Sequence, residues 1–325
     1  MSDIRAGVIG VGSMGRHHAR VYRELPNVEL FAVADADTER AEGVADDYGA
    51  RALSTEGVLT GADAVSVTVP TEYHYAVAKD AMDRGTHVLV EKPFVEDPDV
   101  GRDLIATARE AGLTLQVGHV ERFNPAVRTV QDIVPELDVI AVDARRLGPP
   151  VDREIGDSAV LDLMIHDIDV VRSLVDGGVT DVDAFRSPDD PYVTASVQFD
   201  DGVVGTLTAS RVTQDRVRQL SITARECQVN VDYMKQSVGI HRHSLPEYVE
   251  RNGDVRYRNE TVIERPTVDN GEPLKKELSA FVEAVETGAE PVVTGEDGLR
   301  ALSIANRIDG TAADRVGRPQ EVRQP

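Results

Sequence analysis

The apolar run Ile4 to Ile9 leads straight into Gly10-Val11-Gly12-Ser13-Met14-Gly15, and a helical stretch from Arg16 to Leu25 follows before Pro26. Strand, Gly-x-Gly-x-x-Gly turn and helix in that order admit few folds, because each glycine has its own steric task. Gly10 makes the tight turn, Gly12 lets backbone approach a pyrophosphate with no Cβ in the way, and Gly15 packs helix on strand. The N–H groups at the helix start, from Ser13 and Met14 onward, then face the phosphates. A second apolar run, Val28 to Ala34, ends at Asp35, twenty residues past Gly15. A carboxylate there accepts hydrogen bonds from the adenosine ribose hydroxyls and repels a 2′-phosphate. Ala36 and Asp37 bring no cation, so NAD is favoured over NADP; Asp37 is the alternative ribose ligand.

The alternation continues along the chain. Thr38 to Tyr48 is helical and stops at Gly49, Asp63 to Val69 is a β-branched strand, and Tyr75 to Arg84 is a helix. Thr86 to Val90 is a strand, Asp97 to Ala111 a helix and Leu113 to Val117 a strand. Such spacing implies right-handed βαβ units and a parallel sheet covered on both faces. Past residue 122 the rhythm changes. A helix from Pro125 to Val134 leads into a strand from Asp138 to Leu147, and Val160 to Val175 reads as one helix ended by Gly177 and Gly178. Tyr192 to Phe199 and Val203 to Ala209 flank Asp200-Asp201-Gly202, a hairpin signal. Gln219 to Tyr233 alternates apolar and polar residues as strands do, helices follow near Leu274 to Glu286 and Glu296 to Ile308, and the tail after Ala313 is loosely held. The fold class is α/β: an N-terminal Rossmann doubly wound parallel sheet over residues 1–121, then a C-terminal α+β domain over 122–325 with a large, open-faced, mainly antiparallel sheet.

Composition narrows the partners. The 57 acidic and 35 basic residues give 325 residues a formal charge of −22, which repels nucleic acid and anionic lipid. Basic residues are nearly all arginine, and the surface resembles those of proteins adapted to a salt-rich cytoplasm, so a halophilic protein is expected. No eighteen apolar residues follow one another, which argues against a membrane span. The single cysteine, Cys227, forms no internal disulfide, and a reducing, cytoplasmic location fits. No metal is expected: His241 and His243 alternate on a strand away from any carboxylate cluster, and Asp167 and Asp169 read as the solvated face of an acidic helix. His17 and His18 read as surface positions on the first helix.

Further motifs carry a resemblance. Glu91-Lys92-Pro93 follows the strand ending at Val90, and Pro70-Thr71 stands with His74 after the preceding strand. Asp162 to Asp169 spells Asp-x-x-x-His-x-x-Asp, with His166 in the middle, and Gly295-Glu296-Asp297-Gly298 precedes the last helix. In this order they resemble the Gfo/Idh/MocA oxidoreductase family. Gly118 to Ala126 and Ala144 to Pro149 look most like its archaeal branch that acts on carbon 3 of UDP-N-acetylglucosamine. The chain departs from the family where Asp157 and Ser158 follow Gly156, and where Met164 stands in place of a common glycine.

The resemblance implies an NAD-dependent dehydrogenase acting on CH–OH groups of a sugar or nucleotide-sugar, assembled as a homodimer or homotetramer. Oxidising a secondary alcohol needs a base and a cation beside the developing alkoxide, tasks suited to His166 and Lys92. Asp162, four residues before His166, shares its helical face and can orient the imidazole or relay its proton. The resemblance further implies that Lys92 and His166 meet over the nicotinamide, with Pro70, Thr71, His74 and Glu91 beside the cofactor. Arg122, Asn124, Arg145 and Arg146 are candidates for holding substrate hydroxyls or a diphosphate. The alternatives are an NAD-retaining glycosidase of the same family and a non-catalytic dinucleotide-sensing protein.

Overall fold

A computed structural model describes residues 3–150, 156–189, 191–243, 247–251, 254–258 and 260–316. The chain opens with β1 (Ile4–Ile9), α1 (Ser13–Glu24), β2 (Val28–Ala34), α2 (Thr38–Tyr48), β3 (Arg51–Ala52), α3 (Thr55–Gly61), β4 (Ala64–Val67), α4 (His74–Asp83), β5 (His87–Glu91), α5 (Pro98–Ala111) and β6 (Leu115–Gly118). Caps set the helix limits: Asp37, Ser54 and Asp97 accept first-turn N–H groups, and Gly49 and Gly112 close α2 and α5 in the left-handed region. The short β3 and α3 carry too little apolar periodicity to be read from sequence. Among the described residues, six parallel strands pair in the order β3-β2-β1-β4-β5-β6. The order reverses between β1 and β4, and ligands of such sheets bind at the carboxyl ends of the strands beside that reversal.

The chain continues through α6 (Pro125–Ile133), β7 (Val139–Leu147), α7 (Ile165–Leu174), β8 (Val179–Arg186), β9 (Tyr192–Phe199), β10 (Val204–Ser210), β11 (Val217–Ala224), β12 (Gln228–Asp232), β13 (Ser237–His243), β14 (Glu247–Arg251), β15 (Asp254–Arg258), β16 (Thr261–Glu264), α8 (Pro273–Thr287) and α9 (Gly295–Val316). Eight described strands form a second sheet in the order β16-β13-β12-β11-β7-β10-β9-β8, antiparallel except for the β10–β7 pair. Alternation gives it two unlike faces. Val142, Ala144, Leu207, Leu220, Ile222, Val229 and Val231 are buried, whereas the opposite face presents Thr206, Thr208, Gln219, Ser221, Gln228 and Asn230.

The alternating stretch Gln219 to Tyr233 forms the hairpin β11–β12, turned at Arg225-Glu226, where Ala224 N–H donates to Cys227 O at 2.9 Å. Three expectations change. Val160–Met164 forms a π-helical turn ahead of α7 instead of the start of one α-helix. Helix α9 runs to Val316, past the expected loosening at Ala313; residues 317–325 lie outside the described residues. The compact units also do not follow a single cut near 121: one comprises Met1–Phe123 with Gly271–Ser303, the other Asn124–Asn270 with Ile304–Pro325. The reason is α8, whose Leu274, Leu278, Phe281 and Val282 join Val8, Ala64 and Leu89 of the parallel sheet, Tyr22 of α1 and Leu25 just after it in one core cluster.

Phe281→Ala removes a fully buried ring from this cluster. It is expected to destabilise the first unit by roughly 3–5 kcal/mol, read as a lowered urea midpoint with an unchanged slope.

Candidate dinucleotide and catalytic sites

The glycine turn fits a pyrophosphate. Gly10 has φ +90, and a Cβ there would stand 2.7 Å from Val69 N; a Cβ on Gly15 would stand 1.9 Å from Gly10 O. A Cβ on Gly12 would instead meet nothing within 4 Å, because this glycine borders open space. Whereas α2, α3 and α5 are capped by side chains, α1 begins at Gly12 with no capping side chain and no acid in its first turn. Its donors, beginning with the N–H groups of Ser13 and Met14, are left for an anion. A cleft of about 1020 Å³ adjoins, lined among others by Gly10, Gly12, Asp35, Thr38, Leu53, Thr68 and Pro70. Thr71 opens the helical turn beside Pro70.

Asp35 does more than face the cleft. Its carboxylate accepts from Val11 N–H at 2.7 Å and Asp37 N–H at 2.9 Å, so it also braces the glycine turn. Asp37 is occupied as the α2 cap, accepting from Arg40 N–H at 3.1 Å. Sequence reading missed Arg40, whose guanidinium reaches Asp35 at 3.3 Å and Asp37 at 3.2 Å on the cleft wall. It lies beyond the two positions after Asp35 where a phosphate-binding cation is usually sought.

Glu91 ends β5 and Lys92 follows it, half-buried, joined to Pro93 by a cis peptide bond. The Glu91 carboxylate is turned inward, accepting from Lys92 N–H at 3.1 Å and lying 3.0 Å from His18 Nε2. His18 is therefore no surface residue: it is fully buried, while His17 is exposed. His74 ties the two loops flanking this segment. Its Nδ1 lies 2.9 Å from Pro93 O and its Nε2 2.9 Å from Val69 O. Burial pushes its pKa below the usual imidazole range, against the pull of those carbonyls. Arg122, mostly buried, stands 3.6 Å from Asp297 of the Gly-Glu-Asp-Gly turn. Burial pushes the Asp297 carboxyl up, but bonds from Thr294 and Arg300 and the charge of Arg122 hold it below its ordinary value.

In the second unit, Asp162 sits in the π turn and His166 in the first turn of α7, half-buried. Arg211, which sequence reading missed, donates to Asp162 Oδ2 at 3.1 Å and to the Asp157 and Ser158 carbonyls, pinning the segment before the helix. No local pattern announces it, since it joins residues about fifty positions apart. Asp167 and Asp169 are buried rather than solvated. Asp167 takes two hydrogen bonds from Arg146, at 2.8 and 3.0 Å, which offsets the cost of burying both charges. Arg146 is thus bound up in the interior, and Asn124 likewise, capping α6 through Ala126 N–H and donating to Tyr233 O. Consecutive strand residues face opposite ways, so Arg145 stands with Gln219 and Ser221 on the open face and is not brought together with His166. Met164 is buried beneath the turn.

Residues 4–119 match the model described as an oxidoreductase family with NAD-binding Rossmann fold, and residues 140–229 match the GFO/IDH/MocA C-terminal domain. The chain belongs to the Gfo/Idh/MocA oxidoreductase family. Within this family it is 32% identical over 316 residues to UDP-N-acetylglucosamine 3-dehydrogenase of Acidithiobacillus ferrooxidans, covering 95% of this chain and 97% of the relative. A solved structure of that enzyme superposes with a TM-score of 0.86 over 97% of this chain and 99% of its own, at 31% identity. That relative is bacterial, not archaeal as the sequence comparison led us to expect. Inositol 2-dehydrogenase of Rhizobium meliloti is 26% identical over 332 residues, covering 96% of this chain and 98% of its own. The cofactor of this oxidoreductase is NAD.

Two glycines separate cofactor binding from folding. Gly12→Ala is expected to weaken NAD binding tenfold or more, by fluorescence titration, with stability within about 0.5 kcal/mol of the parent. Gly15→Ala, whose methyl meets backbone, is expected to lower stability by at least ~1–3 kcal/mol. His74 sets a pH dependence. Its folded pKa lies below its unfolded one, so its share of stability is present above about pH 6.5 and is lost as pH falls toward the folded value. Urea midpoints at pH 7.5 and 5.5 are expected to differ less in His74→Gln than in the parent.

Proposed function

We propose that this oxidoreductase oxidises a secondary alcohol of a sugar or nucleotide-sugar, with carbon 3 of UDP-N-acetylglucosamine as the sharpest version. The observation that carries the reading is the near-full-length similarity to UDP-N-acetylglucosamine 3-dehydrogenase, supported by Lys92, Asp162 and His166 in motifs that resemble those of the family. NAD bound at the glycine turn supplies the acceptor for the hydride. His166 takes the hydroxyl proton, the Lys92 ammonium steadies the charge growing on the alcohol oxygen, and Asp162, held by Arg211, orients the imidazole or passes on its proton. Asp35 holds the adenosine ribose and Pro70 and Thr71 border the cofactor, while His74, buried behind them, holds the Val69 and Pro93 segments rather than the cofactor itself. Arg122 is the cation we assign to substrate, because Arg146 and Asn124 serve the interior and Arg145 faces the open side of its sheet.

The reading extends to setting and assembly. A carboxylate excess that gives a charge of −22 supports work in a salt-rich cytoplasm, where ions screen the repulsion. In so acidic a chain, the hydroxyl- and amide-rich open face of the eight-stranded sheet supports pairing with a second copy, as homodimer or homotetramer. Among the described residues no helix is long and apolar enough to cross a membrane.

Screening UDP-sugars, inositols and free hexoses for NADH formation in high salt tests the substrate. Turnover with UDP-N-acetylglucosamine is expected; NADH formation from none of the three classes overturns the proposal. Lys92→Ala and His166→Ala are each expected to cut kcat by roughly 10²–10⁴-fold while leaving the Kd for NAD nearly unchanged. Retained turnover in both removes the assigned roles.

A further inference from the structure

A buried chain of hydrogen bonds runs from the core of the first unit to the backbone of Lys92. Tyr22 Oη lies 2.8 Å from Ser66 Oγ, Ser66 Oγ 3.0 Å from His18 Nδ1, and His18 Nε2 3.0 Å from Glu91 Oε1. Glu91 Oε2 then accepts from Lys92 N–H at 3.1 Å. Tyr22, His18 and Ser66 are fully enclosed and Glu91 is 7% exposed, so none of these bonds is made with bulk water. The chain links α1, β4 and β5, three elements that sequence alone leaves unconnected.

Donor and acceptor chemistry fixes its key proton. An ionised carboxylate only accepts, so Nε2 of His18 carries a proton whether the ring holds one or two. The other neutral tautomer would set an imidazole lone pair against a buried carboxylate with no water to intervene. Burial pushes the Glu91 carboxyl up, yet the His18 bond and the Lys92 charge outweigh it and leave it below its ordinary range. Burial pushes the Tyr22 phenol up, keeping it an O–H donor at neutral pH.

We infer that His18 is a positioning residue for Lys92: by holding one oxygen of Glu91 it aims the other at the Lys92 amide and so fixes the start of the loop that carries the ammonium. The inference rests on the proposed role of Lys92 at the alcohol. His18 is fully enclosed, so it acts through Glu91 and not on a ligand.

The test uses the full chain. His18→Leu removes both ring contacts, His18→Gln keeps an N–H donor near the place of Nε2, and Ser66→Ala removes the contacts to Nδ1 and to the Tyr22 hydroxyl while leaving the His18–Glu91 bond in place. In the protein without substrate, ¹⁵N spectra of histidine are expected to show His18 Nε2 protonated at every pH where the fold persists. With the five lysines reductively ¹³C-methylated, the Lys92 signal is expected to shift in His18→Leu and to return in His18→Gln. With substrate, His18→Leu is expected to lower kcat roughly 10- to 100-fold, with KM and NAD affinity within about twofold and recovery in His18→Gln. An unprotonated Nε2, an unmoved Lys92 signal, or a loss confined to NAD affinity overturns the inference. If His18→Leu does not fold, Ser66→Ala decides through the same Lys92 signal and kcat. Should the substrate reading fail, no sugar is turned over by the parent, while both spectroscopic outcomes still stand or fall without substrate.

Discussion

Helix α1 lies so close to the turn after β1 that a methyl group on Gly15 would sit 1.9 Å from the Gly10 carbonyl oxygen. That approach governs much of the first unit. It brings the uncapped start of α1 to the mouth of the cleft, where its N–H groups meet phosphate, and it lowers the rest of the helix onto the sheet, where His18 and Tyr22 reach Ser66. The same close seat leaves room for Asp35 to grip Val11 N–H from the neighbouring strand. A larger residue at position 15 would lift the helix, and with it both the anion site at one end and the buried polar chain at the other.

The buried polar groups divide the labour between fold and chemistry. Glu91 and His18 face each other under the sheet, while Arg146 and Asp167 do the same in the second unit. In each pair a charge is kept in the interior because its partner and its hydrogen bonds are in place beforehand. Such pairs add little net stability, but they define direction: Glu91 orients the backbone amide of Lys92, and Arg146 fixes α7, the helix whose first turn carries His166.

What could be read from sequence was local. The glycine turn, Asp35, Glu91-Lys92-Pro93 and the Asp162–His166 spacing each express their chemistry within a few residues, and the strand and helix periods around them are strong. His18 was misread because the partners that bury it, Ser66 and Glu91, lie 48 and 73 residues away. Asp167 looked like a solvated carboxylate for the same reason, its arginine being 21 residues upstream. The π turn at Val160–Met164 leaves no periodic signature, since one inserted residue within a helix looks like ordinary apolar sequence. Arg145 and Arg146 are chemically alike and adjacent, and only strand alternation tells which one faces the helices.

The return of α8 to the first core has a consequence for how the chain is made. Residues up to Phe123 emerge first, yet the cluster around Leu89 and Tyr22 waits for Leu274, Leu278 and Phe281, about 150 residues later. During synthesis the nascent cofactor-binding half therefore carries an uncovered greasy face while the whole sheet-rich segment is still being extruded. The last part of the nucleotide fold's core is thus supplied only after the segment that builds the second sheet, and closing so long a stretch of chain carries its own entropic cost.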